Sequence, residues 1–364
     1  MLNFAMSKQQ EMVKKEVAKL VKAIVTENAH DMDEGGAIPA ESIQKAWELG
    51  FSTNPVPEVY GGAGLDDSPL ESAIVLEELA FGDMAFAVAV TAPSLFISPL
   101  AKMGTEAQKK KYLPLACKEK FSPCTLAINE PRFAFDVADL KTTAEKKGAA
   151  YVINGKKCFV PLAAQSSHIM VAATVDGKNQ LFIVDAKNPG LKIGEREKTL
   201  GMYALEMYPV SLENCEVPAD DKLGGEDGCN YDLLLQRARV AMSAMAVGVV
   251  NASYEFAREY AKTREQFGEP ICYRQSVAFM LAEMAYEVDA MRLMAWKAAS
   301  KLEAGKDAAR EAYLAKMYAG EMAMKIADYG VQIMGGHGYI REYPVERYYR
   351  NARSFSTVEG LSSI

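Results

Sequence analysis

From Lys8 to about Lys118 the apolar residues recur at intervals of three and four. Val13, Val17, Leu20, Val21 and Ile24 form one stripe, Ile43, Ala46 and Leu49 another, and Ala73, Leu76, Leu79 and Ala80 a third. This spacing predicts amphipathic helices. Gly35-Gly36, Pro55-x-Pro57 and Gly61-Gly62-x-Gly64 break them. Thr105 followed by Gln108 predicts a capping box at a helix start. Between about Ser122 and Pro218 the period changes to that of strands. Tyr151–Ile153 and Lys156–Val160 flank Asn154-Gly155, which predicts a hairpin, and Ile169–Thr174 and Leu181–Val184 flank Asp176-Gly177, which predicts a second. From about Glu226 helical spacing returns in Leu233–Thr263, Ser276–Leu302 and Ala308–Met334. Their Ala and Met stripes read as the packed faces of a bundle. The expected fold is α+β, mainly α: an N-terminal helical domain over 1–121, a small β domain over 122–225, and a four-helix-bundle-like domain over 226–364.

Composition narrows the function. The chain has 364 residues, 49% hydrophobic and 24% charged, which describes a folded chain with a sizeable core. A net charge of −7 argues against nucleic acid or an anionic membrane as the main partner. No run reaches the ~18 uninterrupted apolar residues of a membrane span; Val240–Val250 reads as a buried helix. The N-terminal stretch, with Lys8, Glu11, Lys14, Lys15 and Glu16, has no apolar signal core, so a cytoplasmic location is expected. The six cysteines include no C-x-x-C pair, and His30, His168 and His337 lie far apart, so no metal site is expected.

The candidate chemistry lies near the C-terminus. Gln332-Ile333-Met334-Gly335-Gly336-His337-Gly338-Tyr339 is followed by Glu342-Tyr343-Pro344-Val345-Glu346, Arg350-Asn351-Ala352-Arg353 and Val358-Glu359-Gly360. This ordered series resembles the end of the acyl-CoA dehydrogenase family, and the helix–β–helix order extends the resemblance over nearly the whole chain. Pro57–Leu65 and Gly104–Pro114 look like the family's N-terminal landmarks. The resemblance implies an FAD-dependent oxidation of an acyl-CoA thioester between Cα and Cβ, with Glu359 as the base and Arg239 beside the base and thioester. Gly360 falls on the substrate side with Arg239. A glutamate in an apolar, water-poor pocket is well suited to general-base work. The family's other position for the base corresponds to Ala238, which has no carboxylate. Arg264, Phe267 and Gln275 look like the segment that reaches a neighbouring subunit's FAD. Gln332, Gly335 and Gly336 match the FAD loop, and Ile128, Asn129 and Phe159 match positions beside the cofactor. The resemblance also implies a homotetramer and an electron-transferring flavoprotein as acceptor.

Three departures touch the flavin. Relatives read Thr-Glu-Pro-Gly-x-Gly-Ser-Asp where this chain has Asn129-Glu130-Pro131-Arg132-Phe133-Ala134-Phe135-Asp136. Phe159-Val160-Pro161 replaces Trp-Ile-Thr, removing a hydroxyl and a backbone N–H. Leu361 follows the Glu-Gly pair in place of Thr. Three changes around one ligand suggest either a flavin held differently or a chain that no longer binds it; the alternatives to the dehydrogenase reading are an FAD-poor, non-catalytic paralogue in a mixed oligomer and flavin-dependent oxidation of a non-CoA substrate.

Overall fold

A computed structural model describes residues 5–364. Ser7 caps α1 (Lys8–Val21) through a reciprocal capping box with Gln10. A π-helical turn, Lys22–Thr26, leads to α2 (Ala29–Gly35) and α3 (Ala40–Trp47). The N-terminal layer is completed by α4 (Pro69–Gly82), α5 (Met84–Thr91), α6 (Ser94–Met103) and α7 (Glu106–Ala116). The expected capping box at Thr105 and Gln108 starts α7.

The central part is a seven-stranded sheet of β1 (Thr125–Ala127), β2 (Thr143–Lys147), β3 (Ala150–Pro161), β4 (His168–Val175), β5 (Lys178–Asp185), β6 (Leu191–Ile193) and β7 (Met207–Pro218). Its order is β1-β4-β2-β3-β7-β6, with β5 paired to β4. The hairpin expected at Asp176-Gly177 forms, with φ of 48° and 77° at the two turn residues. The one expected at Asn154-Gly155 does not, because β3 runs straight through it. The turn that feeds β3 is Gly148-Ala149, between Lys147 and Ala150. Asn154 uses its side chain to accept from the Asn214 N–H at 2.7 Å. Gly155 sits in a register shift, where a Cβ would come 2.4 Å from Thr142 Oγ1. The glycine serves close approach in a strand flanked on both edges.

The C-terminal part contains α8 (Tyr231–Thr263), the short hairpin β8 (Glu265–Gln266) and β9 (Glu269–Pro270), then α9 (Gln275–Glu303) and α10 (Ala309–Met334). Next come α11 (Gly336–Tyr339), α12 (Val345–Ala352) and a 3₁₀ turn, Arg353–Ser356. Helices α8, α9 and α10 pack together, α4 lies along α8 and α9, and α12 crosses α8 and α10. Gly248 permits the α4–α8 approach, since a Cβ there would lie 2.1 Å from the Glu77 carbonyl oxygen. Val240–Val250 is buried throughout, which accounts for its apolar run. Asp33 holds Arg350, and Asp83 faces Arg347 at 3.5 Å, so α12 is tied to the N-terminal layer by charge as well as packing.

Candidate active site

Glu359 lies at the junction of all three parts. Its segment follows the 3₁₀ turn and has no strand or helix of its own. The next residues dock on the N-terminal helices: Ser362 Oγ donates to Thr91 Oγ1 at 2.9 Å, and Ser94 Oγ bridges the Ser363 backbone. The β domain supplies the opposite wall. Asn129 Nδ2 donates to the Glu359 carbonyl at 2.7 Å, and its Oδ1 accepts the Glu359 N–H at 3.0 Å. Gly360 has φ of +64°, and a Cβ there would meet Ile128 Cγ2 at 3.0 Å. Glycine is needed both for the backbone conformation and for the contact.

The bundle supplies the charge. The Glu359 carboxylate accepts from Lys316 Nζ at 2.8 Å and faces Arg239 Nε at 4.0 Å. Both side chains of the Lys316 pair are largely covered, at 11% and 16% exposed. Arg239 stacks on the Tyr313 ring, 5.2 Å from its centroid, and its buried Nε has no hydrogen-bond partner. The base position expected to be apolar is therefore partly ionic. Lys316 was not among the residues singled out from the sequence. Its place among Ala312, Ala315 and Ala319 on α10 gave a faint signal, a lysine beside a stripe of small buried residues. Ala238, at the other possible base position, is buried.

Glu130 has a structural place. It pairs with the fully buried Lys157 at 3.0 Å and accepts the N–H groups of Lys141 and Thr142 at 2.8 Å each. Burial alone would raise its pKa, but Lys157 and the two N–H groups outweigh that and hold it at about 2. Burial lowers Lys157 to about 8 against the pull of Glu130. The pair is charged at neutral pH, with Lys157 also near the Ile128 carbonyl at 3.3 Å.

The residues expected at the cofactor divide into two groups. Ile128 and Asn129 contact the Glu359-Gly360 segment, and Phe159 follows Cys158, whose N–H donates to the Asn129 carbonyl. Phe159 has φ of +52°, and its N–H goes to Glu197 Oε2 at 2.6 Å. Burial holds the Glu197 carboxyl above its ordinary value, outweighing the opposite pull of that N–H. Arg132 is held within its own loop by the Asp139 carbonyl, Glu130 and the Phe135 ring. The second group lies at the far end of α8. Arg264 caps that helix, Phe267 tips the β8–β9 hairpin at 91% exposed, and Gln275 opens α9. Gln332, Gly335 and Gly336 reach the same end, because Tyr260 on α8 meets His337 Nδ1 at 2.8 Å. From Arg239 to Arg264 the helix rises through 25 residues, about 37 Å at 1.5 Å each. Arg239 and Arg264 thus mark opposite ends of the helix.

A cavity of about 1130 Å³ lies between α1, α4 and α6 and reaches Ser363 and Ile364. Glu359, Arg239 and Lys316 do not line it.

The comparisons decide the family. Three family models match in chain order: the acyl-CoA dehydrogenase N-terminal domain over residues 7–120, the middle domain over 125–215 and the C-terminal domain over 231–364. The chain belongs to the acyl-CoA dehydrogenase family. A probable acyl-CoA dehydrogenase, YngJ, of Bacillus subtilis is 36% identical over all of this chain and 97% of its own. The CarC subunit of the caffeyl-CoA reductase–Etf complex of Acetobacterium woodii is 34% identical, covering 98% of this chain and 96% of its own. The solved butyryl-CoA dehydrogenase of Megasphaera elsdenii is 30% identical with a TM-score of 0.89, covering 99% of this chain and 96% of its own. This dehydrogenase is thus an oxidoreductase of acyl-CoA thioesters, with FAD as the family's cofactor.

Its residues fit FAD at the far end. Arg264 is exposed, with no ion pair among the described residues, and suits a phosphate as a planar donor. Gly335 adopts φ 57°, ψ −131°, and space is open around it and Gly336. On the β3 side, donors to the cofactor are fewer. Pro161 has no N–H and that of Phe159 is taken, so neither offers a backbone donor to the flavin ring.

Proposed function

We propose that this dehydrogenase oxidises its acyl-CoA substrate with Glu359 as the general base. The observation that carries this reading is the convergence on one carboxylate. The β domain holds its peptide through Asn129, the N-terminal helices hold the segment beyond it, and Arg239 and Lys316 face it from the bundle.

The α-proton of a thioester is weakly acidic and leaves only to a positioned acceptor. Glu359 takes that proton on a carboxylate oxygen. Arg239 and Lys316 fix the carboxylate before substrate arrives, and Arg239 lies on the substrate side with Gly360. FAD, when bound, would supply the acceptor for the hydride that leaves Cβ. Arg264, Phe267, Gln275, Gln332, Gly335 and Gly336 would hold its nucleotide end from a neighbouring chain, and Ile128 and Phe159 would line its ring end, with the Asn129 amide turned to the Glu359 backbone. Pro161 and Leu361 bring no hydroxyl to the ring, which supports a flavin held by packing and by partner residues.

The length of α8 between Arg239 and Arg264 and the apolar surface at the far end support sharing of the cofactor between chains. Phe267, Tyr273 and Tyr339 are strongly exposed there, and Phe279, Tyr286 and Leu293 form a further exposed row at seven-residue spacing on α9. A closed symmetric assembly, the homotetramer, would cover them. An electron-transferring flavoprotein is the proposed acceptor, in keeping with the Etf complex named for the CarC relative. The six free thiols suit a reducing cytoplasm. The test is anaerobic mixing of FAD-loaded protein with straight, branched and aromatic acyl-CoA. Bleaching by one of these that vanishes in Glu359→Gln supports the assignment; undiminished bleaching in that variant overturns it.

A further inference from the structure

We propose that Asn129 is a positioning residue for the base, setting Glu359 through its peptide rather than holding the cofactor with its side chain. This rests on Glu359 being the base.

Glu359 lies in an irregular segment, so no ladder of backbone bonds fixes it. Among the described residues, the hydrogen bonds to its own N–H and carbonyl both go to the Asn129 side chain. Asn129 is 3% exposed, and those two bonds use one amide N–H and the carbonyl oxygen. A buried amide matched to the N–H and the carbonyl of one residue holds the two peptide groups that flank its Cα, and hence the direction in which the side chain leaves it.

Asn129 is itself held. The Cys158 N–H donates to its carbonyl at 3.0 Å, Lys157 reaches the Ile128 carbonyl, and Glu130 is fixed by Lys157 and two backbone N–H groups. Residues 128–130 are thus pinned to β3 and form a seat for Glu359-Gly360. Ile128 presses on Gly360, Asn129 grips Glu359, and the Glu130–Lys157 pair anchors both. Lys316 and Arg239 reach the carboxylate only, and do not set the backbone beneath it.

A displacement of ~1 Å at a reacting group can cost ~10²-fold in rate. The experiment uses the FAD-loaded protein and an acyl-CoA whose β-carbon is replaced by sulfur. That ligand cannot give up a β-hydride, but it exchanges α-protons with D₂O when a base removes them. NMR follows the exchange, and titration gives the ligand's Kd. Asn129→Ala is expected to slow exchange at saturation by ~10–10², with Kd and FAD content unchanged. Asn129→Asp keeps the acceptor for the Glu359 N–H and loses the donor to its carbonyl, so it should fall between, and it stands in if the alanine variant does not fold. Wild-type exchange in the folded variant overturns the proposal. So does FAD loss in step with exchange, which would return Asn129 to the cofactor. Glu359→Gln separates the two readings: if it exchanges as fast as wild type, the base assignment fails and not merely the role of Asn129.

Discussion

The two ends of α8 present opposite kinds of site. Around Arg239, the chain is self-sufficient: Glu359, Asn129, Ile128 and Lys316 come from distant parts of one sequence and satisfy one another. Around Arg264, the same helix ends in exposed groups, with Phe267 at 91% and Tyr339 at 86% exposed and an open glycine pair. A site that must hold a carboxylate in fixed geometry benefits from being built within one chain. A site for the remote half of a cofactor can be left for a second chain, and then couples assembly to cofactor retention.

The largest effect is expected at the self-sufficient end. Glu359→Gln should slow flavin reduction by ~10²–10⁴ while FAD content stays at the wild-type level, as read by stopped-flow absorbance. Next comes the seat. Glu130→Gln leaves Lys157 buried without its anion, a loss near the low end of ~3–5 kcal/mol, because Lys157 at about 8 can shed its proton. Chemical denaturation measures it, and an unchanged midpoint would sever the seat from the Glu130–Lys157 pair. At the open end, Arg264→Ala should weaken FAD binding by ~1.5–3 kcal/mol and leave the monomer's fold intact, since the side chain is exposed. Fluorescence titration with FAD checks this; equal affinity would mean that the open end is not a cofactor site.

The smallest effect is with pH. Glu130 sits at about 2 when folded, below the ~4.3 of an unfolded glutamate. Its stabilising contribution is therefore complete above ~4.3 and is lost as pH falls from there through about 2. Thermal melts across that window should lose a step that Glu130→Gln lacks.

Most of the open end was legible in the sequence, because its parts are local. The helices α8, α9 and α10 begin and end within two residues of their predicted limits, since periodicity and capping act over a few residues. Asp176-Gly177 made its turn for the same reason. Asn154-Gly155 carried an equal local signal, but pairing on both edges of β3 overrode it. The closed end depended on such distant contacts. Glu359 was identifiable from its ordered neighbours, yet its partner Lys316 lies 43 residues earlier and Asn129 lies 230 residues earlier. Nothing in their immediate surroundings shows that an amide will grip that peptide or that an ammonium will face that carboxylate.

The sharing of one cofactor site between two chains is tested most directly by complementation. Glu359→Gln and Arg264→Ala are each purified, unfolded together, refolded as mixed oligomers and assayed at limiting FAD with an acyl-CoA substrate. A site that takes Glu359 from the Arg264→Ala chain and Arg264 from the Glu359→Gln chain is intact, so the mixture should regain activity that neither variant shows alone. If the mixed oligomers form and activity stays at the sum of the two variants, Glu359 and Arg264 act within the same chain, and the division between a closed and an open end is wrong.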